Sequence, residues 1–71
     1  MDYATKQILD AKFDHVRTTM SGHICATKGR IGILGNDKDG FFIVNAATLE
    51  PVPGARALPF NIAVTNALKM S

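Results

Sequence analysis

Four groupings in this chain carry residue types that can do chemistry, and each makes its own demand on the surroundings. His23 and Cys25 stand two residues apart with His15 upstream, which supplies three borderline metal ligands and one Cys–His pair. On a strand, His23 and Cys25 would share a face, a tolerable geometry for one metal ion. A structural zinc site needs four protein ligands, however, and the chain has one Cys and two His. A nucleophilic Cys25 would need an orienting third group and an oxyanion hole, for which no motif is present. The expectation is a buried, unreactive thiol, with no metal, no cofactor and no catalytic residue.

Asp37-Lys38-Asp39-Gly40 resembles the centre of an EF-hand calcium loop, with two carboxylates two apart followed by glycine. The resemblance stops there. With Gly40 in the sixth position, the first ligand position falls on Gly35 and the bidentate glutamate position on Ala46, so two oxygen donors are missing. The segment reads as a hairpin turn with solvated carboxylates. Gly29, Gly32 and Gly35 recur around Arg30, but a phosphate cradle requires the glycines to open a helix, and here they lie among β-prone residues. Packing is the expected reason for them, with Gly32 opposite Phe41 or Phe42.

Basic residues raise a nucleic-acid reading. Lys28 and Arg30 flank a turn and Arg56 lies in a Pro-Gly loop, so convergence of the three would make a modest phosphate-binding edge, with Lys6, Lys12 and Arg17 behind it. Against it stand Asp10, Asp14, Asp37 and Asp39, a formal net charge of only +2, and a Phe41-Phe42 pair without the basic and glycine pattern of an RNA-recognition sheet. Apart from these four groupings stands an apolar run. Phe41-Phe42-Ile43-Val44 puts large side chains on both faces of one strand, so either the sheet is covered on both sides or one face is a contact surface.

The elements that must position these residues follow from periodicity. Asp2 is a candidate N-cap for a first helix. Leu9, Phe13, Val16 and Met20 then fall at helical spacing, which predicts a helix running to Ser21-Gly22, with Lys6–Asp10 and Asp14–Arg17 as surface pairs. Short β-prone runs follow at 23–27, 30–34 and 40–44, separated by Lys28-Gly29 and by the 36–40 turn with Gly40 at positive φ. Leu49 to Val52 is a candidate fourth strand that Pro51 would confine to an edge. The tail from Pro59 fits either a helix, with Phe60, Val64, Ala67 and Leu68 on one face, or a strand. Its length, alanines and terminal lysine favour the helix. The expected fold is α+β: an N-terminal helix, a three- or four-stranded antiparallel meander, and a C-terminal helix packed on one face of the sheet.

Composition sets the outer bounds. A 71-residue chain with 46% hydrophobic and 20% charged residues is one domain, residues 1–71, and not a disordered tail. A domain of this size buries only about 60% of the surface its unfolded chain exposes, so oligomerisation is a common remedy. One Cys excludes an intramolecular disulfide framework. The absence of a transmembrane-length apolar run or a signal-peptide pattern leads to an expectation of cytoplasmic location and no membrane association. The functional expectation is a small non-enzymatic protein-binding module that binds another protein or its own copy as a homodimer. Its contact residues would come from Phe41, Phe42, Ile43 and Val44. The size alone fits the inhibitors and modulators that phages and mobile elements often encode. The alternative is a nucleic-acid-binding module using Lys28, Arg30 and Arg56.

Overall fold

A computed structural model describes residues 3–70. Helix α1 spans Tyr3–Lys12, and strands β1 to β4 span His15–Thr18, Ile24–Lys28, Ile31–Asn36 and Gly40–Asn45. Helix α2 spans Phe60–Met70. The strands form one antiparallel sheet in the order β1-β2-β3-β4, the expected meander with a helix before it and a helix after it. The proposed cap at Asp2 lies outside the described residues.

The register decides which side chains each face receives. Ala26 pairs with Val16 and Ile33, and Ile33 with Ile43; Gly35 pairs with Ile24 and Phe41. Period-2 alternation therefore sends Val16, Ile24, Ala26, Ile31, Ile33, Phe41 and Ile43 to one face. Both helices pack there. Leu9 of α1, Phe13 just beyond its end, and Ala63, Val64 and Ala67 of α2 close a single apolar cluster over Ile24, Ala26, Ile33 and Phe41. The alanines of α2 let its backbone lie close to β3 and β4, and the Phe41 and Phe60 rings meet edge to face with centroids 5.4 Å apart.

The first helix is shorter than its periodicity predicts. Phe13 N donates to Leu9 O at 2.8 Å, and the next amide, Asp14 N, donates to Thr27 O at 2.9 Å, which docks the chain on β2. Residues 15–18 then become β1. His-Val-Arg-Thr carries two β-branched residues and little helix propensity, so backbone pairing with β2 outweighs the continuation of α1. Leu9 and Phe13 keep their place in the core, and Val16 still points inward because strand alternation puts it there. Met20 loses its place: it stands in the β1–β2 turn with a relative exposure of 107%. The Lys6–Asp10 pair forms at 2.9 Å, worth a few tenths of a kcal/mol at this exposed site, whereas Asp14 and Arg17 make no ion pair among the described residues.

The second correction concerns the other edge. Leu49 to Val52 does not form a strand; the fourth strand is β1. Residues 50–58 instead fasten to the outer edge of β4 at separate points. Asn45 N donates to Glu50 O, Val52 N donates to Ile43 O, and Phe41 and Leu58 exchange both backbone bonds at 2.9 Å. Pro51 and Pro53 lack the amides that a continuous ladder would need. The result covers one edge of the sheet and leaves β1 as the other. In the tail the helical alternative holds, with Ala63 N bonding to Pro59 O as the first helical hydrogen bond.

A Cβ on Gly35 would run into the carbonyl of Gly40 and come within 2.8 Å of Phe41 Cα, at a φ of +153° that other residues rarely adopt. Gly35→Ala is therefore expected to cost about 3 kcal/mol or more, while Met20→Ser should cost less than about 0.5 kcal/mol. Urea unfolding of the two variants measures both. A costly Met20→Ser with a mild Gly35→Ala would refute this arrangement of β1 and β3.

Candidate functional site

The face of the sheet turned away from the helices carries two cross-strand rows. His15, Thr27, Gly32 and Val44 are opposite one another in one row, and Arg17, Cys25, Leu34 and Phe42 in the other. The four expected contact residues are thus divided. Phe41 (1% exposed) and Ile43 belong to the helix face and are core, because α2 and the 52–58 segment lie over them. Val44 is on the helix-free face but fully buried, next to the chain that leaves β4 and returns at Pro51. Phe42 alone of the four keeps accessible surface, and its cross-strand neighbour Leu34, which sequence reasoning did not single out, shares it. The alternation of β3 around Gly32 and Gly35 was the available signal for Leu34. It is Gly35, not Gly32, that faces Phe41.

Toward β1 and β2 on this face the chain forms a trough. Its larger part, about 590 Å³, lies between His15, Arg17, Cys25 and Thr27 on the sheet and Ala46 and Leu49 on the loop that leaves β4, and Asp10 and Asp14 also line it. A second part of about 500 Å³ shares His15, Thr27 and Ala46 and continues to Arg30 and Asn45. The loop that walls it is stiff. Asn45 Oδ1 accepts the amides of Ala47 at 2.8 Å and Thr48 at 3.4 Å, and Leu49 N bonds to Asn45 O at 2.7 Å with Leu49 at a φ of 63°. A leucine in the left-handed region is uncommon and is held there by these bonds.

The expected chemical groupings separate in space. Cys25 is 3% exposed on β2, while His23 precedes the strand and His15 pairs with Thr27 further along β1. Among the described residues no group of three His, Cys, Asp or Glu side chains is placed to hold a metal ion. Asp37 to Asp39 form the β3–β4 turn, with Asp39 N bonded to Asn36 Oδ1 at 2.6 Å and Gly40 at a φ of 87°, the conformation expected of it. Lys28 and Arg30 lie together at the β2–β3 turn. Arg56 is elsewhere, lining a hollow with Ile43, Asn66 and Met70 that includes neither of them.

One polar cluster was not read from the sequence. Ser21 Oγ lies 2.8 Å from His23 Nδ1 and 2.9 Å from Thr19 Oγ1, and His23 Nε2 lies 3.8 Å from Asp39 Oδ2. The residue types are those of a hydrolytic triad, but 3.8 Å is beyond a hydrogen bond and the side chains are exposed on turns. No hollow described above contains Ser21 or His23. The cluster closes the β1–β2 turn: Thr19 Oγ1 accepts His23 N at 3.1 Å and Thr19 N donates to His23 O at 2.8 Å. The Ser21-x-His23 spacing was legible in the sequence; the approach of Asp39 needed the sheet.

No family model, no curated protein and no solved structure matches the chain. The burial of Cys25 gives a direct test of this geometry. A thiol-specific colour reagent should react with it at least tenfold more slowly in the native protein than in urea, because the thiolate must reach solvent to react. Equal rates would mean that Cys25 is not buried as its 3% exposure states.

Proposed function

We propose that this chain is a non-enzymatic protein-binding module of the inhibitor or modulator type, and that it binds another protein or a second copy of itself through the helix-free face around Phe42. The observation that carries this reading is the Leu34–Phe42 cross-strand pair, two large apolar side chains left only partly buried where no helix packs. Arg17, at the end of the same row, supplies a charged rim of the kind that surrounds apolar contact centres. The turn-bound roles of Ser21, His23, Asp37 and Asp39 support a binding role over a catalytic one. A nucleic-acid-binding role using Lys28, Arg30 and Arg56 is the second reading, and it has less support because Arg56 stands apart from the other two.

Phe42→Asp should weaken association by about 30-fold or more, the effect of removing a central aromatic anchor, while far-ultraviolet circular dichroism stays unchanged. Sedimentation of the wild type and the variant across a concentration series reads self-association, and titration with a captured protein partner reads the other mode. A strictly monomeric wild type whose partner binding is indifferent to Phe42→Asp overturns the reading.

A further inference from the structure

The trough on the helix-free face holds four polar side chains that the fold itself does not use. His15, Arg17, Thr27 and Arg30 make no side-chain hydrogen bond and no ion pair within the described residues, yet all four line the trough. Arg30 with His15 and Thr27 lines the smaller part and Arg17 lines the larger; where no carboxylate competes, as beside Arg30, the planar, five-donor guanidinium favours an anion and matches phosphate oxygens in particular. The topology brings these side chains together. The start of β1, the β2–β3 turn and the end of β4 lie at one end of the sheet, which gathers Lys12, His15, Lys28 and Arg30 together with Asp14, while Asp37 and Asp39 are at the opposite end.

The two parts of the trough differ in chemistry. The part containing Arg30, with His15, Thr27 and Asn45, has no carboxylate in its lining. The larger part is lined by Asp10 and Asp14, of which Asp10 is already paired with Lys6 at 2.9 Å. Asp14 retains its full acceptor capacity beside Arg17. At about 590 Å³ the larger part falls within the roughly 300–1,000 Å³ of small-molecule sites. We propose that the trough binds a small phosphate monoester. The phosphate sits between Arg30, His15 and Thr27, and a body bearing hydroxyl or amino donors lies toward Asp14 and Leu49. A nucleoside monophosphate has this size and polarity. The proposal shares Arg17 with the protein-contact reading but not that reading's Leu34–Phe42 anchor.

Amide chemical shifts of the isotope-labelled full chain, titrated with inorganic phosphate, adenosine monophosphate, adenosine and a short single-stranded oligonucleotide, test it. Phosphate should move the amides of residues 27–30 and 45–47, and adenosine monophosphate should move these together with residues 14–17 and 49. Arg30→Gln should weaken both by about tenfold, the effect of losing a charge-assisted bond. Phe42→Asp should leave both unchanged. Absence of a phosphate response, shifts lying elsewhere on the molecule, or indifference to Arg30→Gln would each overturn the assignment. Equal binding of adenosine and its monophosphate would overturn it as well. So would binding of the oligonucleotide alone, with steep salt dependence, since that marks a backbone-tracking surface rather than a phosphate pocket.

Discussion

The close approach of β3 and β4 at Gly35 constrains everything else in this small molecule. The carbonyl of Gly40 and the Cα of Phe41 occupy the space a side chain at position 35 would need, so the two strands can meet there only because the residue is glycine. That contact holds Phe41 opposite Gly35 and Phe42 opposite Leu34. A slip of one residue would send every side chain of β4 to the other face. In this register Phe41 and Ile43 go to the helices, and Phe42 and Val44 to the face without them.

Stability and surface chemistry are therefore settled by the same alternation. A sheet this small has one face that can be packed by its own helices, and the chain uses Leu9, Phe13, Ala63, Val64 and Ala67 to do it. The loop after β4 shelters Val44 but stops short of Leu34 and Phe42. Where that loop crosses, it turns the flat end of the sheet into a polar trough instead of a second apolar layer. One face thus carries an apolar patch on β3 and β4 and a polar hollow toward β1 and β2, a division that neither the amount nor the order of apolar residues announces.

Much of the architecture was legible in the residues. The three central strands, their turns, the terminal helix from Phe60 and the positive φ at Gly40 all follow from local signals: β-branched runs, glycine at turns, and apolar spacing with alanine. The candidate site was less so. Of the Phe41–Val44 run only Phe42 is accessible, because period-2 alternation says that two faces exist but not which one the helices take. Leu34, His15, Arg17 and Thr27 draw their significance from cross-strand neighbours that are distant in sequence, and Arg56 falls away from Lys28 and Arg30 for the same reason.

The boundary between the two kinds of information is clearest at residues 9–20. Spacings of four, three and four place Leu9, Phe13, Val16 and Met20 on one side of a helix, and the sequence by itself determined that Leu9, Phe13 and Val16 face inward. It also determined the element types wherever propensity and periodicity agree. Only the tertiary structure decided that the helix ends at Lys12 and that Val16 reaches the core from a strand. Asp14 N and β1 find their hydrogen-bond partners on β2, about ten residues later in the chain, and pairing at that separation outweighs a local preference worth a few tenths of a kcal/mol per residue.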